Sequence, residues 1–379
     1  MPQSVVRVPR EGQPLFNFIS YGRKLPEQQL ALSPADIAQI ARTVSRVPEV
    51  MVKVSGGARD ANGATAHLKY IDRHGKLAIE TDEGQSLVGK GAATQLAADW
   101  HLELSRGQRR PAPAAGEKDS RPKVVHNIVL SMPAPTPPQA VLDAARRFAR
   151  ENFALQYRYA MVLHTDQHHP HVHLVVKAEH EYQPGKRLYV RKATLQQWRE
   201  QFAACLRAEG VRANATPRFT RGQTPTGKKD PIHHRLRAIA VYRALPAREQ
   251  AGREPPAPST FMQSKVMAVA RELQRGRLEP EAVRERLVDT RKALATGWLA
   301  AASALRQRGE TALAGDVEAF VQSLPPVRTE KERIAAGLAA QATTLRMAGE
   351  RADEAAKSSA PSSAGRADID ERIGLRRER

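Results

Sequence analysis

The chain of 379 residues contains one cysteine, Cys205, which excludes an internal disulfide and any thiolate metal cluster. Cys205 falls in an amphipathic helical pattern and reads as a core thiol. No apolar run reaches the roughly 18 residues a membrane helix needs, and Met1–Gly12 lacks the hydrophobic core of a signal peptide. The expectation is a soluble, cytoplasmic protein with no membrane insertion. No Gly-x-x-x-x-Gly-Lys-Ser/Thr loop is present, so nucleotide-driven unwinding is not encoded here and would have to come from a partner. No secure internal repeat is visible. Acidic residues are in deficit: 40 Asp+Glu stand against 60 Lys+Arg, a formal charge of +20 and a pI near 10.4. That balance suits a protein held to a polyanion, with nucleic acid the leading partner.

Histidine is where the sequence is dense. From Leu163 to Ala178 it reads Leu-His-Thr-Asp-Gln-His-His-Pro-His-Val-His-Leu-Val-Val-Lys-Ala. In an extended strand side chains alternate faces, so His171 and His173 project to one side while Val172, Leu174 and Val176 set the opposite pattern. The segment Tyr157–Leu163 is also strand-like, and Asp-Gln-His-His-Pro between them is turn-like, so a hairpin would bring His164 beside that pair. Three neutral imidazoles suit a borderline divalent ion. His-x-His also arises by chance on strands; a third histidine at a hairpin base, with Asp166 two residues on, argues for a metal site. His168 and His169 read as solvated turn residues.

Punctuation divides the chain. Residues 1–48 form an N-terminal arm with one helix, opened by Ser33-Pro34 as N-cap and first-turn proline. Strands are expected at Glu49–Val54, Lys76–Thr81, Lys123–Ser131, Tyr157–Leu163 and from His171, and helices at Thr65–Arg73, Ala92–Leu104, Gln139–Asn152 and Thr194–Glu209, the last closed by Gly210. This pattern over residues 49–215 predicts an α+β domain on an antiparallel sheet covered by helices. Residues 186–244 hold 14 Lys/Arg and 3 Asp/Glu, a basic stretch suited to phosphate or to a solvated linker, and the linker proper is placed at 216–259. Tyr182, Tyr189 and Trp198 are candidates to stack on unpaired bases, although a helical Trp198 is more often core. Residues 260–356 read as a helical accessory region, broken at Pro325-Pro326, and 357–379 as a flexible tail.

A metal held by histidines in a basic protein raises phosphodiester chemistry, because an ion can withdraw charge from a scissile phosphate. A nucleophile is then needed. Tyr70, in Ala66-His-Leu-Lys-Tyr-Ile-Asp-Arg73, is favoured because a phenol attacking phosphorus leaves a covalent phosphotyrosyl link that conserves bond energy for rejoining. Lys69 and Arg73 would neutralise nearby backbone phosphate. Tyr21, Tyr157 and Tyr159 compete for the role, and a surface tyrosine on an amphipathic helix is the plain alternative.

Three segments together carry a resemblance. They are Ser55-Gly-Gly-Ala-Arg with Ala66-His-Leu-Lys-Tyr-Ile-Asp-Arg-His-Gly75; Val125-His-Asn-Ile-Val-Leu-Ser131; and His164-Thr-Asp166 followed by Pro170-His-Val-His173. In order and spacing this resembles the plasmid and integrative-element relaxases, or mobilisation endonucleases, of the superfamily named for His-hydrophobic-His, most closely the Ti-plasmid border-nuclease-like branch. The resemblance implies a five-stranded antiparallel sheet with covering helices, a relaxase-like palm, followed here by a helical C-terminal region. It implies a divalent metal ion, Mg²⁺ or Mn²⁺ before Zn²⁺, on His164, His171 and His173. Tyr70 would be the strand-transferring nucleophile, with Asp166 orienting a histidine or the tyrosine's proton network. His67, one turn before Tyr70, would act on its proton or be the nucleophile in its place; His67 and His126 are otherwise structural histidines. Such proteins nick one strand of an origin of transfer, stay attached to the 5′ phosphate and reseal the strand. The partners implied are single-stranded and supercoiled origin DNA, relaxosome accessory proteins and a type IV secretion coupling protein.

Three rival classes remain open on sequence. A rolling-circle replication initiator or transposase shares the metal fold, though a single convincing tyrosine before the metal motif favours a relaxase. A histidine-triad nucleotide hydrolase also carries alternating histidines, but Pro170 cannot donate to a strand ladder and a small nucleotide would not explain the charge. A DNA-binding accessory protein with a structural zinc site predicts affinity without cleavage.

Overall fold

The structure, a computed structural model, describes residues 32–102, 119–167, 169–223 and 260–358, with short stretches at 245–250 and 254–257 and isolated residues between. Tyr21, His168, most of the basic segment after residue 223 and the tail from 359 lie outside the described residues. The described residues sort into two compact units. One holds those up to Arg221 together with Ala295–Leu324; the other holds Gly222–Leu294 and the chain from Pro325.

The first unit opens with helix α1 (Pro34–Val44), started by a capping box in which Ser33 and Asp36 satisfy each other's backbone N–H groups. Strand β1 (Met51–Gly56) leads to helix α2 (Ala61–Ile71), whose N-cap Asp60 accepts from Gly63 N at 2.8 Å. The short strands β2 (Ile79–Thr81) and β3 (Ser86–Leu87) form a hairpin before helix α3 (Ala92–Asp99). Then come β4 (Val125–Ser131), α4 (Pro138–Phe153), β5 (Tyr159–His164), β6 (His171–Lys177) and α5 (Lys192–Ala208).

The strands make one open antiparallel sheet in the order β1-β4-β6-β5-β2-β3. The α+β class is as expected, but among the described residues the sheet has six strands rather than five. The extra strand is β3, whose two residues are too few to show the period-2 alternation that marks a strand in sequence.

Alternation assigns the two faces. Val52, Ile128, Leu130, Met161, Val172, Leu174 and Val176 point to one side, against Phe148 and Phe153 of α4 and Trp198, Phe202 and Cys205 of α5. Ring centroids of Phe148, Phe153, Trp198 and Phe202 lie 5.5–6.2 Å apart in edge-on pairs, so this face is an aromatic-centred core. Val125, Ala160, Val162 and Val175 point to the other side, against Ala64, Leu68 and Ile71 of α2 and Ala93, Leu96 and Trp100 at α3. That second core stops short of His171 and His173, leaving a polar end on the α2 face.

The C-terminal residues are helical as expected: α6 (Thr260–Gln274), α7 (Val283–Gln307), α8 (Thr311–Gln322) and α9 (Glu330–Ser358), with Pro325-Pro326 in the break before α9. The end of α7 and α8 belong to the first unit, where the Trp298 indole donates to Thr220 O at 2.9 Å and stacks edge-on with Phe320 at 5.2 Å. In the second unit α6 and α9 are joined by Lys265–Glu330 (2.6 Å) and Lys331–Glu272 (2.5 Å). Among the described residues no helix is long and apolar enough to cross a membrane.

Candidate active site

The sheet register brings the histidines together. His164, the last residue of β5, lies directly opposite His171, and His173 lies opposite Val162, so all three project from the α2 face. Ring centroids are 5.1 Å (His164–His171), 4.6 Å (His164–His173) and 5.2 Å (His171–His173) apart. One nitrogen from each lies within 4.8 Å of the others, close enough for a single ion to bridge with small side-chain adjustments. His164 and His171 are buried and His173 is half-buried.

The remaining ring nitrogens show which atom is free to ligate. His164 Nε2 lies 2.6 Å from Ile71 O, and His171 Nδ1 lies 3.0 Å from His169 O. A carbonyl only accepts, so these nitrogens carry protons, which leaves His164 Nδ1 and His171 Nε2 as the atoms that could face an ion. Backbone carbonyls of this kind fix the tautomer and raise the basicity of a ligating imidazole. His173 Nδ1 is buried with no hydrogen-bond partner among the described residues. Burial pushes the His173 pKa down to about 3, helped by the neighbouring His164 and His171, and burial also lowers that of His164. Burial that disfavours the charged forms of His164 and His173, together with one orphaned buried nitrogen, fits a divalent cation. It does not fit a cluster that simply charges at neutral pH.

Tyr70 sits near the end of α2 and is 58% exposed. His67, one turn earlier, lies between it and the triad: its ring centroid is 6.4 Å from Tyr70 and 6.4 Å from His173. His67 Nε2 is buried without a partner among the described residues, and burial lowers the pKa of this ring. After α2 the chain turns through three successive left-handed residues, Arg73 (φ 56°), His74 (φ 58°) and Gly75 (φ 85°). This turn carries Arg73 over the Tyr70 ring, 5.6 Å from its centroid, with Nη2 2.6 Å from Asp166 Oδ2 and 3.4 Å from His164 Nδ1. Asp166 is therefore held by Arg73, while its own distance to His164 Nδ1 is 4.0 Å, too long for a hydrogen bond.

Other sequence candidates fall elsewhere. Tyr157 and Tyr159 are buried in the α4/α5 core, where burial raises their pKa values, and are sealed from any substrate. His126 projects from that same opposite face and bonds Leu188 O at 3.1 Å; burial pushes its pKa down to about 4. Trp198 is core. Tyr182 and Tyr189 are exposed at 72% and 68%. The contact of Arg73 with Asp166 and His164 was not legible in sequence, since nothing local signals a left-handed arginine.

Residues 83–211 match the family model described as "Relaxase: MobA/VirD2-like, nuclease domain". The match contains all three clustered histidines and begins after Tyr70. Two proteins named "T-DNA border endonuclease VirD2" are similar. That of Rhizobium radiobacter is 26% identical over 137 residues, covering 34% of this chain and 31% of its own length. That of Rhizobium rhizogenes is 26% identical over 138 residues, covering 34% of this chain and 30% of its own length. The chain thus spans about a third of the length of these curated relatives. A solved structure described as "Molecular Basis of Vancomycin Resistance Transfer in Staphylococcus aureus" shares 15% identity over 45% of this chain and 99% of its own, at a TM-score of 0.28, too low to inform the fold.

Proposed function

We propose, from the match of residues 83–211 to the MobA/VirD2-like relaxase nuclease-domain model and the geometry of the site, that this chain nicks one strand of DNA at an origin of transfer and reseals it after transfer. The observation that carries the proposal is the continuity of the site: three convergent imidazoles on the sheet, with His67 and Arg73 linking them to an exposed tyrosine. The Tyr70 phenol attacks the scissile phosphorus and His67 takes its proton. A bond forms between Tyr70 Oη and phosphorus, the bond from phosphorus to the 3′ oxygen breaks, and that oxygen leaves with a proton as a 3′ hydroxyl. The reverse attack by a 3′ hydroxyl restores the strand and frees the tyrosine. A divalent ion on His164, His171 and His173, Mg²⁺ or Mn²⁺ before Zn²⁺, would withdraw charge from the phosphate and stabilise the transition state. Asp166 holds Arg73 in place beside the phenol.

The formal charge of +20 supports single-stranded and supercoiled origin DNA as the substrate. Relaxosome accessory proteins and a type IV secretion coupling protein are the partners this reading implies, since nothing in the sequence supplies unwinding or transport.

The test is incubation of origin-containing supercoiled DNA with Mn²⁺, then a denaturing gel for a protein–oligonucleotide adduct, in wild type, Tyr70→Phe and His171→Ala. Adduct in wild type and in neither variant is the expected result. Adduct persisting in Tyr70→Phe moves the nucleophile to His67 or to another tyrosine such as Tyr21. Binding of origin DNA by wild type without nicking returns the structural-zinc accessory reading. Tyr70 is exposed, so Tyr70→Phe should change stability by less than about 0.5 kcal/mol and leave folding intact.

A further inference from the structure

We propose that Arg73 is a built-in placeholder for the metal: its guanidinium, paired with Asp166, faces the lone pair of His164 Nδ1 until a divalent ion displaces it towards the Tyr70 ring. The inference deepens the proposed function and rests on its metal reading.

His164 has one nitrogen to give. Nε2 is committed to the Ile71 carbonyl at 2.6 Å, so Nδ1 alone can face an ion. That lone pair already meets a cation, because Arg73 Nη2 stands 3.4 Å away. A guanidinium is always protonated and only donates, so the contact fixes the same neutral tautomer that a metal requires. At 3.4 Å the contact is longer than a well-formed N–H···N bond, which makes it displaceable. The firm hold on Arg73 is the 2.6 Å pair with Asp166, whose side chain is 55% exposed and has room to move with it. The left-handed φ values at Arg73 and His74 set the direction from which the guanidinium enters, and Gly75 locks the turn: a Cβ there would lie 2.4 Å from the Gly89 carbonyl carbon.

A metal ion and a guanidinium cannot share one lone pair. When an ion takes Nδ1, repulsion drives Arg73 outward, and the side it moves to is the side of the nucleophile, where its ring contact with Tyr70 already lies at 5.6 Å. Metal loading would therefore also place a positive charge where a phosphate attacked by Tyr70 must sit. Arg73 acts through His164 and through its own position, as a positioning residue.

The test is calorimetric titration of the metal-free full chain with Mn²⁺ in wild type, Arg73→Asn, Arg73→Met and His164→Ala, with circular dichroism confirming folding. Asparagine tolerates the left-handed backbone at this position, and methionine keeps the aliphatic stem without charge. Removing a positive charge 3.4 Å from the binding nitrogen should tighten Mn²⁺ binding on the order of tenfold in both Arg73 variants, even with Asp166 partly neutralising it. A second reading is the ¹⁵N resonance of the Arg73 side chain, identified by its absence in Arg73→Asn, which should shift on addition of diamagnetic Mg²⁺ to wild type. Unchanged or weaker Mn²⁺ binding in both Arg73 variants, with His164→Ala still impaired, overturns the placeholder role and leaves the metal reading standing. Absence of Mn²⁺ binding in wild type overturns both.

Discussion

Lowering the pH should destabilise the first unit through a histidine that has nothing to do with the proposed chemistry, and the size of the effect can be worked out. His126 has an ordinary pKa of 6.5 and a folded value of about 4, chiefly because burial disfavours the charged ring. The folded pKa lies below the unfolded one, so the stability of the neutral state is intact above pH 6.5 and is lost as the pH falls towards 4. At pH 5 the unfolded ring is almost fully protonated and the folded ring is neutral, which costs about 2 kcal/mol relative to neutral pH. Partial solvent access to the ring reduces this to about 1–1.5 kcal/mol. The control is His126→Gln, whose amide can still donate to Leu188 O but does not titrate. Trp100, Trp198 and Trp298, the three tryptophans of the chain, all lie in the first unit, so their fluorescence in urea reports on that unit alone. Between pH 7 and pH 5 the metal-free wild type should lose more stability than His126→Gln by that difference. Equal losses in the two proteins would refute the assignment of a depressed pKa to His126.

Mn²⁺ at one hundred times its dissociation constant should stabilise the first unit by about 2.7 kcal/mol. The gain should vanish with a chelator and in His171→Ala, as read by urea melts. Phe148→Ala, which removes a fully buried ring touching Phe153, Trp198 and Phe202, should cost about 3–5 kcal/mol in the same assay. Gly75→Ala combines a left-handed φ of 85° with a backbone collision at Gly89, so it should lower the melting temperature and reduce nicking together, by moving Arg73.

What could be read beforehand follows a physical line. The interior strands β4, β5 and β6 are long enough to show their alternation, and α4 and α5 their helical period, so class and order were legible. The two-residue β3 was not, because its formation depends on pairing with β2 rather than on its own pattern. The histidines were legible as a cluster because two share a strand face and the third sits across one hairpin. Tyr157 and Tyr159 remained competitors to Tyr70 until the α4/α5 core was seen to enclose them. His126 could not be told from a site histidine either, since sequence parity is meaningful only once register is known.

The amino-acid order by itself determined the quantities that are sums or short-range patterns: the excess of basic residues, one lone thiol, and two imidazoles on one face of a strand. The tertiary structure alone decided which nitrogens of His164 and His171 are tied to backbone carbonyls, that Tyr70 is exposed while Tyr157 and Tyr159 are buried, and that Arg73 reaches His164 and Asp166 from 91 and 93 residues away in sequence. Hydrogen bonds and burial are properties of what the folded chain brings near, and a contact between the turn after α2 and the end of β5, with strands and helices between them in sequence, leaves no local trace in the residues that make it.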